Sequence, residues 1–108
     1  MDGEAPLLDV TFAGAVIEWR GPAPFFFVAL PEEEVVGVRA AARVASYGWG
    51  VVPVTATIGD TVFATSLFPR DGGYLLPLKD AVRRAAGVTL GNEVVVRMRI
   101  EARERPLR

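Results

Sequence analysis

A small closed β-barrel of about six strands, carrying two short helices, is the fold class this sequence predicts. Three observations predict it. In the last apolar run, Val94, Val96, Met98, Ile100 and Ala102 alternate with Glu93, Arg97, Arg99, Glu101 and Arg103, and only Val95 interrupts the polar parity. That is a strand with one buried and one solvated face. Gly59-Asp60 separates two further strand-like runs and reads as the tight turn of a hairpin. Finally, "FVALPEEEVVGVR" and "YLLPLKDAVRR" repeat one order of elements: apolar strand, Leu-Pro, helix with a late arginine, glycine-bearing turn, strand. Two such β–α–β units with their hairpins can pair and close around one layered core.

The elements follow in order. Leu8 to Arg20 reads as a strand in which Leu8, Val10, Phe12 and Val16 keep one parity and Ala15, Ile17 and Trp19 the other. The parity change beside Gly14 predicts a β-bulge. "GPAP" (Gly21–Pro24) is a turn, and Phe25 to Leu30 a second strand. Pro31 opens a helix, because a proline N–H is not missed in the first turn, and Glu32, Glu33 and Glu34 suit the positive end of the helix dipole. Val35, Val38, Ala42 and Ala45 form its apolar stripe to about Ser46, and "YGWG" (Tyr47–Gly50) stops it. Val51 to Phe68 is the hairpin, with Pro53 restricted to an edge or a bulge. "RDGG" (Arg70–Gly73) is a second turn and Tyr74–Leu76 a short strand. Pro77 opens a second helix to about Ala86, ended by Gly87, and Leu90–Glu93 turns into the last strand.

The chain of 108 residues is expected to form one domain, with a core over about 8–103 and fraying tails at 1–7 and 104–108. Apolar residues make up 51% and charged residues 23%, a folded composition rather than a disordered one. The longest apolar stretch, Phe25 to Leu30, falls far short of the roughly 20 residues of a membrane span. The acidic start "MDGEAPLLD" lacks the basic and apolar regions of a signal peptide, so a cytoplasmic location is expected. Cysteine and histidine are absent. Their absence removes disulfides, thiolate nucleophiles, histidine acid–base catalysis and the usual zinc and transition-metal sites. The enzyme reading is weakened accordingly, and no cofactor or metal is expected.

Net charge is −1, but it is unevenly spread: Met1–Pro69 holds three basic and eight acidic residues, Arg70–Arg108 nine basic and five acidic. Arginine bias explains much of this, and an anion-facing C-terminal half is the functional alternative.

"WRGPAPFFFVALP", "YGWGVVPVTATIGD", "TSLFPRDGGYLLPLKDAVRRAAG" and "LGNEVVV" together resemble a small bacterial and archaeal family known as domain of unknown function nineteen-oh-five. The resemblance runs from about Val10 to Ile100. It implies a double-split β-barrel, the architecture class of the AbrB and MazE swapped-hairpin proteins. "LPLKDAVRRAAGVTLGNEVVV" looks like the strand–Pro–helix–turn–strand element of AbrB-like domains, with Asn92 where an acidic turn residue is usual. AbrB-like chains assemble the barrel from two half-length copies. Here the internal repeat would supply both halves, giving a pseudo-twofold barrel in a monomer or a weak homodimer. The family brings no activity with it.

Candidate sites can still be named. Lys79 and Arg83 lie four apart on one face of the second helix, beside a turn carrying Arg70, and together they could hold an anion at the helix start. The bland alternative is a solvated face with Asp80 paired to Arg84. Tyr47, Trp49 and Trp19, with Thr55 and Thr57, could line a pocket with an apolar wall and hydroxyl donors. Thr65 joins the candidate ligand-binding residues, while the neighbouring Ser66 lacks a Ser-x-x-Lys spacing or a glycine-rich elbow for catalysis. Arg97, Arg99 and Arg103 could meet phosphates, but interleaved glutamates and the net charge disfavour nucleic acid. The expected function is therefore a non-enzymatic module for a small anionic or polar ligand. An AbrB-like DNA-binding regulator is the alternative, and an enzyme using hydroxyl, lysine and carboxylate groups comes last.

Overall fold

The computed structural model describes residues 5–19, 25–45 and 51–102. Its strands are β1 (Leu8–Trp19), β2 (Phe25–Ala29), β3 (Val52–Ile58), β4 (Thr61–Arg70), β5 (Gly73–Pro77) and β6 (Glu93–Ile100), with helices α1 (Glu32–Ala45) and α2 (Asp80–Ala86). The six strands close into an antiparallel barrel in the ring order β1-β2-β5-β4-β3-β6. The Gly21–Pro24 turn, the Tyr47–Gly50 segment, Arg103 and the outermost tails lie outside the described residues.

The internal repeat is written into this ring. Exchanging β1 with β4, β2 with β5 and β3 with β6 carries every pair of neighbours onto a pair of neighbours, with β2–β5 and β3–β6 mapped onto themselves. When Leu30-Pro31 is laid on Leu76-Pro77, the registers superpose as well. Val52, Val54, Ala56 and Ile58 take the places of Val94, Val96, Met98 and Ile100, all buried. The pseudo-twofold axis then crosses the barrel at the Ala29–Leu75 and Ala56–Met98 pairs.

β1 and β4 are the long strands, and each changes partner midway. β1 pairs with β6 through Leu8–Ala15 and with β2 through Val16–Trp19. β4 pairs with β3 through Thr61–Leu67 and with β5 through Phe68–Arg70. In both ladders of β1 the register runs unbroken, so the bulge expected beside Gly14 is absent. Phe12 and Val16 face the interior, while Ile17 and Trp19, each 41% exposed, face outward. The apolar residues of opposite parity therefore mark a second apolar surface and not a shift of the strand.

Apolar periodicity explains the interior. Val16, Val28, Leu67, Leu76, Val96, Met98 and Ile100 are wholly buried, and α1 adds Val35, Val38, Ala41 and Ala45 to the same cluster. No polar or charged side chain is buried among the described residues. Hydrophobic burial, at about 25 cal/mol per Å² of apolar surface, is thus the principal stabilising term. Pro53 pairs with Ser66 at the end of β3 that β6 does not reach, the edge-like place expected of it.

α2 begins later than the sequence suggests. Pro77 stays in β5 opposite Phe27, and the Leu78 N–H donates to the Phe26 carbonyl at 2.8 Å, extending the pairing. Leu78 is buried, so anchoring it in the core delays the helix to Asp80. The β4–β5 hairpin turns on Asp71 (φ 54°) and Gly72 (φ 80°), a left-handed pair that matches the twist of the flanking strands. Arg39 of α1 donates to the Gly72 carbonyl at 2.9 Å and ties the turn to the helix.

On the outer face of β1 and β6, Asp9 accepts two hydrogen bonds from Arg97, at 3.1 and 2.8 Å, with Arg99 3.6 Å away. The Arg97 hydrogen bonds, partly opposed by desolvation and helped by the charges of Arg97 and Arg99, hold the Asp9 carboxyl below its ordinary value of 3.8. A depressed folded-state value means stability that is present above the unfolded value and lost as pH falls through the folded one. Asp9→Asn is therefore expected to flatten the fall in melting temperature below about pH 4 while leaving the profile from pH 6 to 8 parallel to wild type. Parallel acid limbs in thermal melts of the two proteins would show that Asp9 carries none of it.

An aromatic groove on the outer face of the barrel

Three consecutive phenylalanines on a strand cannot all enter one core, because side chains alternate between faces. Phe26 and Val28 point inward, and Phe25 and Phe27 point out. On the outer face the registers place Trp19 opposite Phe25, Ile17 and Pro77 on either side of Phe27, and Phe68 opposite Leu75. Phe27 is the hub. Its ring centroid lies 6.1 Å from Trp19, 6.4 Å from Phe25 and 5.2 Å from Phe68, the last edge to face. Phe27 is only 3% exposed, but Phe25 is 55% and Trp19 41% exposed.

These rings floor a groove of about 540 Å³, closed on one side by Pro77, Leu78, Lys79, Asp80 and Arg83. A second hollow of about 380 Å³ shares Trp19 and Phe27 and runs on to Arg70 and Tyr74. The guanidinium of Arg70 stacks on the Trp19 ring, 3.7 Å from its centroid, and lies 3.7 Å from the Asp71 carboxylate.

The charges at the α2 end are unequal in availability. Arg83 donates to the Leu78 carbonyl at 3.1 Å and to Asp80 at 3.3 Å, and its guanidinium lies 3.8 Å from the Phe26 ring centre. Asp80 is also ion-paired with Arg84. A carboxylate with its own partners thus occupies the first turn of α2. Lys79 is exposed, and its ammonium has no ion-pair partner among the described residues.

The structure brings Lys79 and Arg83 together on the groove and places Arg70 in the adjoining hollow, across Trp19. Thr65 lies elsewhere: it pairs with Val54, on the face of β4 that carries Leu67 into the core. Thr55 and Thr57 pair with Arg99 and Arg97 on the face of β3 away from the rings. Tyr47 and Trp49 are outside the described residues. The sequence marks Trp19 as a pocket candidate, and the groove includes it, but it marks Phe25 to Leu30 only as a strand and so does not single out Phe25, Phe27 and Phe68. The signal was available in the run itself, since alternation forces at least one phenylalanine outward.

No group of metal-ligating side chains occurs among the described residues. No helix there is long and apolar enough to cross a membrane. Arg97 and Arg99, candidates for phosphate contacts, are drawn into ion pairs with Asp9 and Glu101.

A family model described as a domain of unknown function, DUF1905, matches residues 12–98, from the middle of β1 to the centre of β6. The chain belongs to the DUF1905 family. The match takes in both halves of the pseudo-twofold barrel and all the lining of the groove. A search of curated proteins finds no match. With DUF1905 carrying no activity in its description, function is to be read from the chemistry of the groove.

Proposed function

We propose that this chain is a non-enzymatic binding domain, and that its site is the aromatic groove on the outer face of β1, β2, β4 and β5. The ligand is small and amphipathic: its apolar body lies on Phe25, Phe27 and Trp19, and its anionic group meets Lys79. The observation that carries this reading is the pair of large rings left exposed around Phe27 in a hollow of about 540 Å³ with an unpaired ammonium at its rim. Exposed rings grouped in a concave surface cost hydration free energy that a ligand recovers on binding. The volume lies in the ordinary range of small-molecule sites, and a few polar groups around apolar walls is their usual chemistry.

Two further features support it. One copy of the chain supplies aromatic rings, apolar walls and a cation to the groove together. The described residues of its lining also include no serine, threonine or tyrosine, and so offer no hydroxyl nucleophile beside the ligand. DNA binding is not favoured, because the arginines of β6 are charge-compensated where they stand.

A thermal-shift screen of aromatic and aliphatic carboxylates tests the proposal. A ligand present at about 100 times its dissociation constant stabilises the folded state by about 2.7 kcal/mol, a readily measured shift. Phe25→Ala is expected to fold normally, because the ring is mostly exposed, and to weaken any hit by about tenfold. A screen without hits, or hits that Phe25→Ala leaves untouched, overturns the reading.

A further inference from the structure

Resting on that reading, we infer that the groove selects a single-charged carboxylate on an aromatic body and discriminates against phosphate esters and other polyanions. The first argument is a charge count. Among the described residues lining the groove only Lys79, Asp80 and Arg83 ionise, and together they carry one net positive charge. Arg83 is held in place by hydrogen bonds to Leu78 and Asp80 and by one face against Phe26. Lys79 is left to meet the ligand, and the carboxylate of Asp80 is its neighbour in sequence and in the lining. One negative charge on the ligand is matched by that ammonium. A second would find no free cation among the described residues of the lining. Phosphate recognition ordinarily draws on several donors or a bidentate arginine; here Arg84 is ion-paired with Asp80, and Arg70 is stacked on Trp19 in the adjoining hollow.

The pseudo-twofold supplies an independent comparison. Exchange of the halves carries the groove to the hollow of about 360 Å³ between α1 and the β4–β5 turn. There the lining is Glu32, Arg39 and Asp71 with Leu30, Val35 and Val36, and Arg39 is tied to the Gly72 carbonyl. Its described lining has no aromatic ring and one net negative charge. Between these two related hollows the described linings thus bear opposite charge, and the aromatic rings line the one that carries Lys79. Rings and cation go together, as recognition of an aromatic anion requires.

The experiment uses three probes with one body: 3-phenylpropionate, 3-phenylpropanamide and 2-phenylethyl phosphate. Each is titrated at about pH 8, where the phosphate ester is a dianion, into the full chain. Backbone amide and tryptophan indole resonances are followed by two-dimensional NMR. The carboxylate is expected to bind about tenfold or more tightly than the amide, and the phosphate more weakly than the carboxylate. Lys79→Met should remove the advantage of the carboxylate while leaving the amide unchanged, and Lys79→Arg should restore much of it. Phosphate binding as tight as the carboxylate's, or tighter, overturns the inference. So does equal binding of carboxylate and amide, which would leave the groove itself standing as an apolar site. If none of the three perturbs the Trp19 indole or the Phe25 amide, the groove reading falls and this inference with it.

Discussion

Leu76→Ala is expected to lower the free energy of unfolding by about 3–5 kcal/mol and the melting temperature by roughly 10–25 °C. Leu76 is wholly buried in the short strand β5, opposite Val28, which is wholly buried too. Truncation removes apolar surface from the interior and leaves a cavity. The barrel cannot readily close over it, because each strand is pinned by neighbours on both sides. A domain of this size is stable by only about 5–15 kcal/mol, so one such change removes much of the margin. Urea unfolding should show a lower midpoint at unchanged slope. Leu76→Met, which nearly keeps the volume, should cost less than about 1.5 kcal/mol. An alanine variant within about 1 kcal/mol of wild type would show that the interior around Leu76 collapses freely, contrary to the close packing described.

The second large effect is steric. A Cβ placed on Gly14 would lie 2.8 Å from Val28 Cγ1 and 3.3 Å from the Ala29 carbonyl oxygen. Val28 is buried and β-branched, so its side chain has little freedom to move aside, and the carbonyl belongs to backbone. Gly14→Ala is expected to cost about 1–3 kcal/mol. The cause can be isolated with a double-mutant cycle. Val28→Ala alone destabilises by opening a cavity, but in the Gly14→Ala background it also relieves the clash. The double variant should therefore be more stable than the sum of the single losses by about 1 kcal/mol or more. Simple additivity in thermal or urea melts would show that the close approach at Gly14 carries no energetic weight.

Gly14 also shows how far the sequence could be read. The change of apolar parity along β1 is real, but a bulge was the wrong cause for it. A strand with one buried face shows one apolar parity. β1 shows two because its second half, paired with β2, borders the interior on one side and the aromatic groove on the other. Periodicity reports that a side chain is shielded from water, without saying by what. The same ambiguity hid Phe25 and Phe27, since a continuous apolar run is what a strand buried on both faces would also show. The late start of α2 has another origin. Pro77 is compatible with a helix start and with a strand end, and the burial of Leu78 decides between them.

Sequence alone determined the elements and their pairing logic: a strand that alternates, a hairpin turned on Gly59-Asp60, and two units marked by Leu30-Pro31 and Leu76-Pro77. These follow from local rules, because side-chain alternation and the conformations of glycine and proline act within a few residues. Lys79 and Arg83 could be named together for the same reason, being one helical turn apart. Tertiary structure decided what those residues do. It tied Arg83 to Leu78, Asp80 and Phe26, left Lys79 unpaired, stacked Arg70 on Trp19, and gathered rings from β1, β2 and β4 around Phe27. Such contacts join residues far apart in the chain. Ring closure and strand register set them, and register is a property of the assembled sheet.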